Sequence, residues 1–549
     1  MEFLPDELLV HIFSYLPIIY RTRVMHLVCK RFHSLCQITS LRRTNVYRDL
    51  YFCNEYLLQK AIQEGSFRLK DCSVKSVHMM NQVLSSQSGL KDLSLENVRF
   101  LDTDNPSLKI HRLKSLKTLH VESKLIYKKY MSRDLTQLHL HYQSKLADFP
   151  TLPLIKVLSI WVIQQNCLQY LDKFPNVERL SLKMITTLRG LPTSLSALPR
   201  MEQLVYLKID GAEFVDPSEL THLSRLPNLK ELRLSECTLN SFMFLPPLQQ
   251  LARVSVGFAR VYYNVTCNYH GLDRCPRLAY LELDIPNIVL SIHQTNLIER
   301  IPDLPQLTHL KIKEHPCDDS IRYGYFLEGY DYLRKVPNLV SLHLISTISR
   351  FEERDKLGPF PLLPKLREFT LSQYRVSSGH DLRYLESFPN LVILCLSNCF
   401  FSTLKALPIL QHLEVLEIGV TDYKPFCLET DHFPEDFFPI ANLLKLRSLG
   451  ICARSLHKVV SNLPRPLTSL KTISLICETW DEIIQDMHQQ VIILCDEVVP
   501  NITHIKVVTR KRGCTETNIL RDGENENNVK CQRSHVQDVE IVYESNMGL

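Results

Sequence analysis

His120, Glu122, His139 and His141 are the residues whose types and spacing come nearest to a metal site. Alternate side chains of extended backbone share a face, so His120 pairs with Glu122 and His139 with His141. Two such pairs on neighbouring strands, about 4.8 Å apart, would bring four ligands together. Zinc, however, needs tetrahedral closure and outer hydrogen bonds that orient each imidazole. The flat face of a sheet does not readily supply either. The expectation is therefore no metal and no cofactor, with a metal-dependent enzyme using His120, His139 and His141 as the alternative. Cys395 and Cys399 lack a companion pair and are read as structural. The sequence contains no Gly-rich phosphate loop, no G-x-S-x-G elbow and no H-E-x-x-H helix. No catalytic residue is assigned.

A second chemistry lies in cations interleaved with aromatics: Trp161, Arg179, Lys183, Tyr206, Lys208, Arg233 and Arg253. Arginine forks bind carboxylate and phosphate bidentately. If these side chains share one surface, they suit an acidic or phosphorylated segment of a target protein. The plainer reading is a row of solvated charges. Further along come Glu282, Asp284, His309, Lys311 and Lys313, after which Ile393, Val415, Gly450 and Ile476 make the same positions apolar or small.

The elements that must position these residues are written in leucine. From about residue 90 the phrase L-x-x-L-x-L recurs: Leu90, Leu93, Leu95; Leu116, Leu119, Val121; Leu135, Leu138, Leu140. "LPNLKELRLSEC", "VPNLVSLHL" and "FPNLVILCLSNC" are plainer copies, and the last centre on Leu449, Ile473, Ile505 and Val539. From Leu93 to Val539 there are about eighteen copies at a mean step of roughly 26 residues. One short strand cannot bury its leucines alone, whereas stacked strands can, and each buried leucine contributes roughly 1.5–3 kcal/mol. Between strands the chain must return. In "DPSELTHLSRLPNL", Asp216 can cap, Pro217 suits the first helical position and Glu219 falls at the third. Across some 450 residues the chain resembles the leucine-rich repeat family, with Cys237 and Cys399 at its Asn-or-Cys ladder position. The resemblance implies a curved solenoid with a parallel sheet on the concave face and short helices or loops on the convex one.

The opening stretch has a different period. In "LPDELLVHIFSYLP", Leu8, Leu9, Ile12, Phe13 and Leu16 fall within an arc of roughly 140° on a helix. Val24, Leu27, Val28, Phe32 and Leu35 follow at helical steps. About 40 residues rarely bury enough apolar surface to stand alone. The order L-P-x-E-L, I-F-x-x-L-P, V-C-K-x-F resembles the F-box family, and the fold class is accordingly α/β: a small three-helix F-box module ahead of the solenoid. The resemblance implies docking on the small adaptor of a cullin–RING ubiquitin ligase of the SCF type, and through it on a cullin. Leu4, Pro5, Leu8, Leu9, Ile12, Phe13, Leu16 and Pro17, with Val28 and Cys29, are implied to line that interface, and Phe32 to pack the module. Ile18-Ile19-Tyr20-Arg21 stands where the family often has an acidic residue and Leu, and Phe32 where it commonly has Trp.

The expected organisation is residues 1–40 as the module, 41–89 as a connecting helix and degenerate first repeat, and 90–549 as the solenoid, with a mobile loop near 511–534. The expected function is a non-catalytic substrate receptor of the ligase. The alternative is an interaction scaffold without ligase activity. A net charge of +5 over 549 residues argues for neither nucleic acid nor an anionic membrane. The 17 cysteines form no C-x-x-C pair, residues 1–17 lack a signal-peptide pattern, and no apolar run approaches 18 residues. These point to a reduced, cytoplasmic or nuclear compartment, with Arg510-Lys511-Arg512 as a candidate nuclear address.

Overall fold

The computed structural model describes most of residues 66–121 and 134–258, and the strands and adjoining turns between 268 and 511. It also describes residues 538–545 and, nearer the N-terminus, 6, 9, 29–36, 46–48 and 51–53. The expected connecting helix around 54–63 and loop at 512–534 lie outside the described residues. The chain falls into two compact units, Met1–Leu251 and Ala252–Leu549.

In the first unit strands β1 (Val46–Arg48), β2 (Ser66–Lys70), β3 (Asp92–Glu96), β4 (Thr118–Val121) and β5 (Gln137–Leu140) pair in that order, all parallel. The ladder continues through β6 (Val157–Val162), β7 (Arg179–Met184), β8 (Tyr206–Asp210) and β9 (Glu231–Leu239). The second unit repeats the arrangement. Its strands are β10 (Arg253–Phe258), β11 (Tyr280–Asn287), β12 (His309–Pro316), β13 (Ser341–Ser346), β14 (Glu368–Ser372) and β15 (Ile393–Ser397). Then come β16 (Val415–Ile418), β17 (Ser448–Ala453), β18 (Thr472–Glu478), β19 (His504–Lys511) and β20 (Asp538–Ser545).

The leucine phrase explains the register. Leu158, Leu180, Leu207 and Leu232 stand side by side, as do Ile160, Leu182, Ile209 and Leu234, and all are buried. A one-residue slip would turn both rows outward, so burial alone fixes the pairing. In the second unit the core gains a ring cluster. Phe360 lies 4.2 Å from Tyr330, 5.5 Å from Phe369 and 4.9 Å from Phe388, centroid to centroid.

The returns carry their own ladder. Asn176, Asn228, Asn338, Asn390 and Asn501, each following a proline, donate a side-chain N–H to a main-chain carbonyl one repeat earlier. The acceptors are Pro153, Glu202, Pro305, Pro364 and Thr468, at 2.6–2.8 Å. Three residues before the asparagine a second donor does the same. Lys173 Nζ reaches the carbonyls of Ala147 (2.5 Å) and Phe149 (2.8 Å), Lys335 Nζ that of Ile301 (2.8 Å), and Arg225 those of Ser196 and Leu198. These bonds satisfy main-chain carbonyls in the turns of the preceding repeat. The helix expected after Asp216 is a 3-10 helix, Pro217–Arg225, capped as expected by Asp216 Oδ1, which accepts from Ser218 N–H at 2.8 Å. Glu219 does not close a capping box on its own helix. It reaches back one repeat to accept from Leu195 N–H at 2.6 Å and Ser194 Oγ at 3.0 Å. Other returns are also 3-10 turns, at Gln165–Lys173, Asp331–Lys335 and Gly379–Ser387. The tighter winding suits the short path between strands. The α-helices described in full are α1 (Lys30–Cys36) and α2 (Val77–Ser85).

The ladder cysteines behave as weak donors. Cys237 Sγ lies 3.2 Å from Ser235 O and Cys399 Sγ 3.4 Å from Leu371 O. Cys72, at the same repeat position, lies 3.0 Å from Lys70 O, a third member that the sequence reading missed. Burial pushes the Cys237 thiol up to about 12, so it stays protonated and unreactive. Just before this position the backbone turns left-handed, at Asn97 (φ 49°), Gly211 (φ 72°) and Glu236 (φ 51°). A Cβ on Gly211 would stand 2.9 Å from Met184 O, so glycine is required there on both counts.

Candidate functional site

Each strand from β6 to β9 turns three positions outward, and the registers convert these into rows. On β6 to β9 the first row reads Val157, Arg179, Tyr206, Glu231 and the second Ser159, Ser181, Lys208, Arg233. The third reads Trp161, Lys183, Asp210, Ser235. Four cations, two carboxylates and two aromatic rings thus share one face. The Arg179 guanidinium lies 4.1 Å from the Tyr206 ring centroid, and the Arg233 guanidinium 5.7 Å from it. Lys183 Nζ stands 4.9 Å from the Trp161 ring. Arg233 Nε donates to Glu231 Oε1 at 2.6 Å, and Lys208 Nζ is 3.7 Å from Asp210 Oδ2. Six of the seven residues expected to hold a target are therefore brought together. The seventh, Arg253, belongs to the second unit, 5.8 Å from the Tyr280 ring. Glu231 and Asp210 were overlooked in the sequence, although "ELR" and "KID" place each acid two residues from its cation, hence on the same face.

The second unit's face is balanced internally. Glu282 Oε1 accepts from Lys313 Nζ at 2.7 Å and lies 3.4 Å from Lys311 Nζ, while the Tyr280 hydroxyl donates to its other oxygen at 3.2 Å. Burial pushes the Glu282 carboxyl up, but the bonds and charges of Lys313 and Lys311 outweigh it and hold the group below the ordinary carboxylate value. Next in register, Ser341 Oγ sits 2.8 Å from His343 Nε2 and 2.9 Å from Glu368 Oε2. This is not a nucleophile–base–orienter relay. Glu368 meets the same imidazole nitrogen as the serine, at 3.6 Å, and Ser341 is only 3% exposed. Cys395, 3.3 Å from Glu417 Oε2, has its thiol pushed up to about 12 by burial and by that carboxylate.

Of the proposed metal set, His120 and His139 are adjacent in register with ring centroids 5.4 Å apart. Glu122 and His141 lie outside the described residues. His120 Nδ1 is 3.6 Å from Glu96 Oε1, and Glu96 also meets Lys70 Nζ at 3.1 Å. Burial, then the neighbouring His120, holds the His139 imidazole below its ordinary value. Among the described residues no group of histidine, cysteine and carboxylate side chains could hold a metal.

In the N-terminal module, Asp6 Oδ1 accepts from Arg31 Nη2 at 2.7 Å, tying the first segment to α1. Phe32 and Leu35 of α1 are buried, and Cys29 Sγ accepts from the Phe32 N–H at 3.4 Å. Leu9 corrects an expectation. Placed among the adaptor-facing residues, it has 0% exposure within the chain itself, so its side chain fills the chain's own interior. Leu4, Pro5, Leu8, Ile12, Phe13, Leu16, Pro17 and Val28 lie outside the described residues.

Residues 1–48 match the F-box-like family model. No curated protein matches the chain. Among solved structures, the mouse RP105/MD-1 complex is similar at 13% identity over 87% of this chain and 87% of that one, TM-score 0.44. An internalin from Listeria monocytogenes is similar at 12% identity over 76% and 97%, TM-score 0.31. An LRR protein of Leptospira interrogans is similar at 16% identity over 77% and 86%, TM-score 0.30. The chain thus joins an F-box-like module to leucine-rich repeats, the make-up of a protein-interaction adaptor. Among the described residues no helix is long and apolar enough to cross a membrane.

Proposed function

We propose that this chain is the substrate-recognition subunit of an SCF-type cullin–RING ubiquitin ligase. The F-box-like match over residues 1–48, ahead of leucine-rich repeats, is the observation that supports it. The module docks a small adaptor through Leu4, Pro5, Leu8, Ile12, Phe13, Leu16 and Pro17, with Val28 and Cys29 at the junction, and the adaptor brings the cullin. The repeats hold a target protein on the face that carries Trp161, Arg179, Lys183, Tyr206, Lys208 and Arg233. The chain itself performs no bond chemistry and needs no cofactor. Its contribution is to raise the effective concentration of target beside the ubiquitin-carrying enzyme. The ligase works in the cytoplasm or nucleus.

The test is affinity purification from cells under proteasome inhibition, comparing the intact chain with Leu8→Asp/Ile12→Asp and with a version lacking residues 1–40. Adaptor and cullin should accompany the intact chain and be lost from both variants, while target proteins are retained. Recovery of adaptor without cullin would instead support an interaction scaffold that has no ligase role.

A further inference from the structure

The first unit's face holds four cations, yet they are not equivalent. Arg233 and Lys208 are answered within their own strands, by Glu231 at 2.6 Å and Asp210 at 3.7 Å. Among the described residues, Arg179 and Lys183 meet aromatic rings and no carboxylate. Both lie on β7, four residues apart, so their backbone positions are about 13 Å from each other. Between them Ser181 stands on β7, with Ser159 beside it in register on one side and Lys208, turned to Asp210, on the other.

We propose that β7 and its neighbours form a docking site for an extended peptide bearing two carboxylate side chains four residues apart. This rests on the reading above, in which the repeats hold the target, and it names the target's chemistry. An extended peptide laid along β7 turns its residues i, i+2 and i+4 to one side at the spacing of the strand beneath. The outer two reach Arg179 and Lys183, and the middle one, if small, sits over Ser181. The rings of Tyr206 and Trp161 already restrain both cations, which lowers the ordering cost of capture. One guanidinium and one ammonium, far apart, suit two monoanions. A phosphate dianion draws on several converging donors, which this spacing does not offer. Asp210 borders Lys183 in register, but Lys208 holds it.

The experiment is fluorescence anisotropy on the full-length chain with a labelled Ser/Ala peptide carrying two glutamates four residues apart. Replacing both glutamates by glutamine, or moving them to adjacent positions, should weaken binding about tenfold or more. Arg179→Glu/Lys183→Glu should weaken it about 100-fold, and rising salt should weaken it further. The milder Arg179→Gln/Lys183→Gln pair, expected to lose about tenfold, keeps the test valid if charge reversal disturbs folding. Equal binding by either double variant, equal binding of the adjacent-glutamate peptide, or binding confined to a phosphoserine version would each overturn the proposal. Adaptor capture measured on the same variants should stay intact. An intact chain that binds the two-glutamate peptide but no adaptor would overturn the ligase reading and leave this one standing.

Discussion

On β7 of the first unit, Arg179 and Lys183 meet rings and, among the described residues, no carboxylate. On β12 of the second, Lys311 and Lys313 share Glu282, at 3.4 and 2.7 Å. The scaffold beneath is the same, a parallel rung with a buried leucine row and three outward positions. Both adjoining rungs carry an acid; the difference is that Glu282 answers the lysines of β12, whereas Asp210, beside Lys183, is held by Lys208 on its own strand. A cation neutralised by a half-buried carboxylate stabilises its own unit and has little left to offer a partner. A cation resting on a ring keeps its charge available. Repeat proteins can thus use one backbone pattern for cohesion in one place and recognition in another.

The largest effect that would break this comparison concerns stability. Lys311→Glu/Lys313→Glu leaves Glu282 among like charges and should cost about 3 kcal/mol in denaturant unfolding. Arg179→Glu/Lys183→Glu should cost less than about 0.5 kcal/mol. Equal losses would mean that both faces are structural. Next, Glu282→Gln should cost about 2 kcal/mol, and the freed lysines should then capture acidic peptide in the second unit. Gain of binding there would show that Glu282's hold on the lysines separates the two faces.

Asn228→Ala and Asn338→Ala should each cost about 1 kcal/mol, alike in both units because the return ladder is shared. Acid should also act on both units with one sign. His139 and His343 are held below 6.5, chiefly by burial. Burial raises Glu96 and Glu282, but their cationic partners outweigh it and hold both below 4.5. In every case the unfolded chain binds protons first, so stability is full above about pH 6.5 and declines as pH falls. The histidines contribute the upper step and the carboxylates the lower. His139→Gln and His343→Gln should each shrink the upper step in a pH series of unfolding midpoints. The smallest effect is Tyr206→Ala, which unseats Arg179 and should weaken peptide binding about threefold.

Much of the fold was legible because it depends on period. Leu207, Ile209, Leu232 and Leu234 announce their strands by alternation, and Asp216-Pro217 announces the turn that follows. The return ladder was not legible. The acceptor for Asn228 is Glu202 O and that for Glu219 is Leu195 N–H, partners whose distance along the chain only stacking removes. The candidate site was half legible: its cations and rings were named, but which cations stay unanswered was not. The in-strand pairs, Arg233 with Glu231 and Lys208 with Asp210, could have been read from spacing. The cross-rung pair, Glu282 with Lys313, could not, because it depends on which residue of the next rung falls opposite.

The parallel rungs and the three-helix module were carried by the resemblance to known families. By itself, the sequence determined that leucines at period two would be buried and that their strands would stack. Those outcomes follow from burial, which responds to residue type and spacing alone. The tertiary structure decided which charges cancel, which thiols are sealed, and that Leu9 is buried within the chain. Charge pairing and solvent access depend on distances of a few ångströms between residues far apart in the chain, and only the stacked register sets those distances.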